Sequence, residues 1–148
     1  MKKLNLLQLL AVVAVLFTGS VQSAKAQTNS NHVFHINTWY MVPNQDSVVH
    51  AERNAMLKEY FTKVTMKNEF VIHQSQMTHF FTDDSREFVT ITEFAKFGDI
   101  EKSFDRDSEL ERQAWPDTQK RQQFMNKMNS FFTYHKDAIF NGLSGLTK

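Results

Sequence analysis

The chain has 148 residues and no cysteine, which excludes disulfide bonds and cysteine-based metal sites. Its 17 Lys and Arg nearly balance its 16 Asp and Glu, so there is no basic excess of the kind that nucleic-acid binding needs. We therefore expect no nucleic-acid partner. The length suits one domain with a single core.

The N-terminus has the pattern of a signal peptide. Two lysines precede a mostly apolar stretch over 4–17, and Ala24 and Ala26 are small residues at the positions that signal peptidase recognises. The stretch is shorter than the roughly 18–20 apolar residues of a membrane span, so an uncleaved anchor is the weaker alternative. We predict cleavage after Ala26 and export to the periplasm or cell exterior. Removing 1–26 takes away three basic and no acidic residues, which changes the net charge from +1 to −2.

The period of the apolar residues separates strands from helices along the rest of the chain. Alternation with a period of two predicts strands, and a stripe with a period near 3.6 predicts helices. Turn residues and Pro116 mark the breaks. The predicted elements are a polar, disordered lead-in (27–31), a strand (32–41), a helix (47–67), two strands forming a hairpin (69–82 and 87–97), a helix from Gly98 to the break at Pro116, a helix (117–132) and a short last strand (138–143).

This order predicts an α+β, ferredoxin-like β-α-β-β-α-β domain over 32–148, with its helices on one face of the sheet. A right-handed crossover makes the first two strands parallel and leaves room for the third between them. The other face of the sheet is left open. The assignment of 138–143 stays open between an edge strand and an irregular tail.

The first strand carries two unlike rows of side chains. Phe34, Ile36 and Tyr40 form an apolar row, which we expect to meet the helices. The opposite row is polar and aromatic and is expected on the open face. Side chains predicted to share that face come from all three neighbouring strands: His35, Asn37, Trp39, Val71, His73, Ser75, Met77, His79, Thr90, Thr92 and Phe94.

An open face with this composition predicts either an interface between two copies of the chain or a ligand cavity enclosed between them. His73 is the candidate catalytic proton acceptor, because imidazole exchanges protons near neutral pH. His35 and Asn37 would orient polar atoms of a ligand, and Trp39 would stack on a ring. The remaining candidate ligand-binding residues are Ser75, Met77 and Thr92.

Other kinds of site find little support. His73 and His79 are about 20 Å apart along one strand at roughly 3.3 Å per residue, too far to share a metal ion, so no metal site is predicted. The sequence has no motif for a nucleophilic serine and no glycine-rich phosphate loop. His135 and Asp137 lie either at the mouth of the open face or at a helix C-terminus, and the second placement is favoured.

The element order and the strand-borne Asn37 resemble the dimeric α/β-barrel superfamily over residues 32–143. That superfamily includes antibiotic-biosynthesis-type and haem-degrading monooxygenases, and the chain is also similar to uncharacterised exported bacterial proteins. In the haem-degrading members an Asn, a Trp and a His cooperate. Asn37 matches the first, whereas Trp115 lies at a helix break and no His follows at the corresponding place.

The resemblance implies a homodimer. The preferred function is binding of a small hydrophobic or aromatic ligand in a mixed aromatic and polar cavity on the open sheet face, with no cofactor. One alternative is a cofactor-independent, monooxygenase-like enzyme acting on an aromatic or haem-like substrate. The other is a structural dimerisation module without a ligand. The sequence leaves open whether the protein is an enzyme.

Overall fold

The computed structural model describes residues 31–143. The predicted signal peptide and most of the predicted lead-in lie outside the described residues, as do residues 144–148. The described elements are strand β1 (Val33–Met41), helix α1 (Ser47–Lys63) with a 3-10 turn (Thr65–Lys67), strands β2 (Val71–Thr78) and β3 (Glu87–Phe94), helices α2 (Gly98–Ala114) and α3 (Thr118–Asn129), and strand β4 (Phe132–Asn141).

The four strands form one open sheet in the order β2-β3-β1-β4. Every hydrogen-bonded pair is antiparallel, so β1 and β2 run parallel on either side of β3. This is the predicted ferredoxin-like arrangement of the β-α-β-β-α-β order, and the α+β assignment is confirmed.

Local capping explains where two of the helices begin. The Asp46 carboxylate accepts hydrogen bonds from the backbone N–H groups of Val48 and Val49, at 3.0 and 2.9 Å, and so starts α1. Asp117 caps α3 in the same way by accepting from the Lys120 N–H at 3.0 Å. Pro116 separates α2 from α3, as the sequence predicted.

The last strand begins six residues earlier than predicted. The sequence placed a helix over 117–132 and a strand over 138–143, whereas α3 ends at Asn129 and β4 already starts at Phe132. The apolar residues at the end of α3 fit a helical stripe, but the backbone turns at Ser130 so that Phe131 is buried. His135 and Asp137 therefore lie within β4, and their favoured placement at a helix C-terminus is wrong.

The helices cover the opposite row of β1 from the one predicted. His35 is only 8% exposed, and its ring meets the edge of Phe104 on α2 with centroids 6.1 Å apart. In the same layer Val33 of β1 packs with Phe94 of β3 and Ile100 of α2. The polar and aromatic row (His35, Asn37, Trp39) thus faces the helices, and Phe34, Ile36 and Tyr40 lie on the uncovered face.

A bulge in β2 separates residues that the sequence had grouped on one face. Val71 pairs with Phe94 and His73 with Glu93, so Ile72 is an extra residue that reverses the alternation. Gln74 and Gln76 consequently share the helix-covered face with Thr92 and Thr90, their partners in β3. His73, Ser75 and Met77 lie on the uncovered face as predicted, but on the opposite side of the sheet from His35, Asn37 and Trp39.

The uncovered face is more apolar than predicted. Ile36 of β1 pairs with Ile91 of β3 at its centre, and Phe34 pairs with Phe140 of β4. Tyr40 and Tyr134 stack at one end with ring centroids 4.3 Å apart. The uncovered face therefore carries an apolar row of its own, and the apolar character of one row does not identify the face that the helices cover.

The hairpin tip between β2 and β3 presents two phenylalanines to solvent. Phe80 and Phe81 are 96% and 95% exposed. These two rings do not hold the turn, which is stabilised by polar contacts. His79 Nδ1 accepts from the Thr82 N–H at 3.2 Å, and the Thr82 hydroxyl donates to the Asp84 carbonyl at 2.9 Å. Among residues 31–143, no helix is both long enough and apolar enough to span a membrane.

Candidate functional site

A cavity of about 280 Å³ lies between the sheet and the helices. Its walls come from all four strands on one side and from all three helices on the other. The volume is slightly below the lower end of the range of about 300–1,000 Å³ usual for small-molecule sites. The lining is aromatic and polar together, with Trp39, Phe88, Phe104 and Phe132 beside Asn37, Gln74, Gln76, Thr90 and Asp107.

Asn37 brings to the cavity wall a hydrogen-bond acceptor that no described residue satisfies. Its Oδ1 is buried and has no hydrogen-bond partner among residues 31–143. A buried carbonyl oxygen without a partner costs about 1–3 kcal/mol, so native proteins seldom keep one without a use for it. Asn37 also lines the cavity, which places its amide in the wall beside any bound molecule.

Trp39 forms one aromatic wall of the cavity. Its indole stacks on the His135 ring of β4 at a centroid distance of 4.3 Å, and it contacts Phe132 at 5.5 Å. These contacts on both neighbours limit its rotation, because strand side chains occupy few rotamers and packing selects one. The indole thus offers a fixed apolar surface on which a planar ring can lie.

A groove of about 390 Å³ runs between α1 and the exposed edge strand β2. Leu57 and Phe88 line both this groove and the cavity, as do Gln74 and Gln76. The groove and the cavity therefore lie next to each other, with these four side chains at their common boundary. Lys58 stands at the groove and not within the cavity.

His35 is held in the cavity wall by two side chains of β4. Its Nε2 lies 3.2 Å from Asp137 Oδ1, and the other carboxylate oxygen lies 3.1 Å from Nε2 of His135. The register places Asp137 directly beside Asn37 and His135 beside Trp39, so all four side chains lie on one face of two paired strands. The sequence singled out His135 and Asp137 but did not connect them to His35.

A hydrogen-bonded group of three polar side chains, Asn68, Ser103 and Asp107, lies at the helix side of the cavity. The buried Asn68 amide donates to Asp107 Oδ1 at 2.7 Å and to the Ser103 hydroxyl at 2.9 Å. Burial raises the pKa of Asp107, an effect that the Asn68 hydrogen bond partly opposes. Tyr60 donates to Glu111 at 2.9 Å, and burial, with the Asp107 and Glu111 carboxylates, raises the pKa of the Tyr60 hydroxyl.

The predicted site residues divide between the two faces of the sheet. His35, Asn37, Trp39 and Thr92 line the cavity together. The others lie on the uncovered face, where His73 Nε2 is 3.0 Å from the Ser75 hydroxyl and Met77 is exposed. The structure thus corrects the expectation of a single site on the open face, and the cause is the β2 bulge together with the reversed orientation of β1.

Several residues that line the cavity could not be predicted from the sequence. Gln74 and Gln76 have the alternation of a strand, and only the bulge at Ile72 brings them to this face. Asp107 lies in a helix with many charges, and nothing in its sequence neighbourhood distinguishes it from the solvated carboxylates around it. Within residues 31–143 no group of three or more His, Asp or Glu is placed to hold a metal ion.

No family model matches the chain, and no curated protein matches it either. Solved structures do share its fold. A variant of SnoaB, a cofactor-independent oxygenase from Streptomyces nogalater, aligns with a TM-score of 0.51 at 8% identity, over 80% of this chain and 99% of that chain. A conserved protein from Methanosarcina mazei aligns at 0.52 and 9%, over 77% and 95% of the two chains.

A third structure, a candidate antibiotic biosynthesis monooxygenase from Bacteroides thetaiotaomicron, aligns with a TM-score of 0.51 at 12% identity, over 81% of this chain and 98% of that chain. Likeness at such low identity shows the fold and nothing more. The chain therefore shares its ferredoxin-like fold with structures described as a cofactor-independent oxygenase and a candidate antibiotic biosynthesis monooxygenase, and the predicted resemblance is confirmed as a likeness of fold.

Proposed function

We propose that the protein binds a small aromatic molecule in the cavity between its sheet and its helices. The observation that carries the proposal is the Asn37 oxygen, which is buried in the wall of a cavity of about 280 Å³ and has no partner among residues 31–143. The Trp39 indole supplies a stacking surface beside it. The ligand would pair a planar apolar body with a hydroxyl or amine that donates to Asn37.

The charge of the lining favours an uncharged ligand over an anion. No Lys or Arg from the described part of the chain lines the cavity, whereas the Asp107 carboxylate does. A carboxylate or phosphate moved into this site would lose its hydration without gaining a cation, which is strongly unfavourable. Neutral phenols and related ring compounds are therefore the ligands to test first.

The test compares 2-naphthol with 2-naphthoate, which share a ring but differ in charge. Titration followed by calorimetry should show binding of 2-naphthol and much weaker binding of 2-naphthoate. Thr90→Phe fills the cavity and should weaken 2-naphthol binding at least about tenfold, which corresponds to about 1.4 kcal/mol. Thr62→Phe makes the same replacement on the exposed side of α1 and should leave binding unchanged. Failure of 2-naphthol to bind, or equal loss in both variants, would argue against the site.

A second candidate function is cofactor-independent oxygenation of the bound aromatic compound. It is supported by the shared fold with SnoaB, which is described as a cofactor-independent oxygenase. The test is oxygen consumption by the purified protein in the presence of electron-rich phenols and hydroquinones, with the Thr90→Phe variant as the control. Binding without any oxygen uptake above that of the variant would leave binding as the function.

We also propose that the uncovered sheet face packs against a second copy of the chain. Ile36, Ile91 and Phe140 lie on this face, and an apolar sheet face of this kind is stable in water only when it is covered. One patch that meets itself across a two-fold axis covers both copies at once. A third class of function, a structural module, would use this interface alone.

Light scattering after size-exclusion chromatography tests the dimer. The expected result is a dimer that Ile36→Lys converts to a monomer, because the charge would be buried at the centre of the interface. Thr62→Lys adds the same charge on the exposed side of α1 and should stay dimeric. A wild-type monomer at micromolar concentration would contradict the proposal.

Export through the predicted signal peptide remains a proposal, supported by the lysines, apolar stretch and Ala24–Ala26 pattern of the N-terminus. Its test is the N-terminal sequence of the protein recovered from the periplasm or medium, which should begin at Gln27. Recovery of an uncut chain from the cytoplasm would contradict it.

A further inference from the structure

His35 has one ring nitrogen occupied and one available. Nε2 faces the Asp137 carboxylate, which accepts hydrogen bonds and cannot donate them when ionised. A neutral His35 must therefore carry its proton on Nε2, and Nδ1 is left as a base. Within residues 31–143, His35 Nδ1 makes no hydrogen bond, and His35 lines the cavity, so Nδ1 is the ring nitrogen that a ligand there would meet.

Asp137 is itself held in place from its other side. Its second oxygen meets Nε2 of His135, and the His135 ring stacks on Trp39. The carboxylate is thus fixed between two imidazoles, and the outer imidazole is fixed by an indole of the cavity wall. Such a supporting contact orients the ring that performs the chemistry, in the way that carboxylates orient basic histidines in enzymes.

We propose that His35 is the proton acceptor of the cavity and that Asp137 and His135 are the residues that position it. The proposal rests on the proposed binding function and assigns the base to β1, on the opposite face of the sheet from His73. His35 and Asn37 are two residues apart on one strand, so their side chains start roughly 7 Å from each other. A ligand hydroxyl between them is within reach of both.

The step is a proton transfer from a hydroxyl on the ligand ring. The O–H bond of the ligand breaks, its electron pair stays on the oxygen, and a new N–H bond forms at His35 Nδ1. The ligand becomes an anion and His35 becomes an imidazolium whose positive charge lies against the Asp137 carboxylate. The ligand class is accordingly a weakly acidic ring hydroxyl, and a ligand whose hydroxyl is methylated should bind without transferring a proton.

The experiment uses 2-naphthol, whose hydroxyl becomes strongly acidic when the ring is excited and whose neutral and deprotonated forms emit at different wavelengths. The probe is excited beyond the tryptophan absorption band with the protein in excess, so that most of the probe is bound. Anisotropy of 2-methoxynaphthalene, which has no proton to give, reports whether the cavity of each variant is intact.

The wild-type protein should show emission mainly from the deprotonated form. In His35→Gln this emission should fall several-fold, and Asp137→Leu and His135→Phe should reduce it in that order, because the first removes the carboxylate and the second removes only its outer contact. His73→Gln, on the uncovered face, should behave as wild type. In all variants 2-methoxynaphthalene should still bind.

Each other outcome counts against a specific part of the proposal. Unchanged deprotonated emission in His35→Gln, with 2-methoxynaphthalene still bound, overturns the assignment of the base while leaving the binding function standing. Failure of wild type to bind either compound removes the binding function and the base together. Should His35→Gln not fold, unchanged emission in Asp137→Leu, whose carboxylate is half-exposed, overturns the role of the pair.

Discussion

Replacing Asn37 by leucine should make the ligand-free protein more stable while weakening its binding. Leucine has the same branched shape as asparagine but no oxygen, so it removes the buried acceptor that has no partner in the described chain. Leaving such an oxygen unpaired costs about 1–3 kcal/mol. The cavity is large enough for ordered water to recover part of that cost, so we expect a gain of about 1 kcal/mol. In a domain of this size that corresponds to a rise in Tm of roughly 4 °C.

Urea unfolding and thermal unfolding of the ligand-free proteins measure this gain. Asn141→Leu is the matched control, because it makes the same replacement at an exposed position at the end of β4 and accounts for the higher strand propensity of leucine. The refuting result is an Asn37→Leu protein that is no more stable than the Asn141→Leu protein. Retained affinity for 2-naphthol would separately refute the role of the Asn37 oxygen in binding.

Three further predictions concern the surroundings of the cavity. Asn68→Ala should lower the free energy of unfolding by about 2 kcal/mol in urea, because it leaves the half-buried Asp107 and the buried Ser103 without their donor, and an effect under 0.5 kcal/mol would contradict this. Since burial raises the pKa of Asp107 above its ordinary 3.8, the folded protein binds that proton more firmly than the unfolded chain. Wild type should therefore lose stability relative to Asp107→Asn as the pH rises above about 4, and a relative gain would contradict the sign. Replacing both Phe80 and Phe81 by serine should hardly change Tm while lowering retention on a hydrophobic column, and a large fall in Tm would show that the rings are covered in solution.

The sequence predicted the element types well because each has a clear apolar period. It could not assign the faces of the sheet, because Phe34, Ile36 and Tyr40 form a row as apolar as that of any helix-covered strand. That row lies on the uncovered side. Composition therefore does not tell a face covered by the protein's own helices from one available to another chain.

The candidate site was predicted in part for a similar reason. His35, Asn37, Trp39 and Thr92 were grouped correctly, since β1 and β3 alternate without interruption. The three residues from β2 lie on the open face as predicted, but they do not share it with the β1 residues, because one extra residue at Ile72 shifts the register and no proline or glycine marks it. The contact between Asp137 and His35 spans 102 positions in sequence, and only the pairing of β4 with β1 reveals it.

Backbone amide shifts in an NMR titration with 2-naphthol test the central claim, that the ligand lies between the sheet and the helices. The predicted result is saturable shifts at His35, Asn37 and Thr92 and at Phe104 of α2, all of which line the cavity. Shifts confined to the β2 residues on the uncovered face (His73, Ser75, Met77) would contradict the claim and return the site to the other side of the sheet.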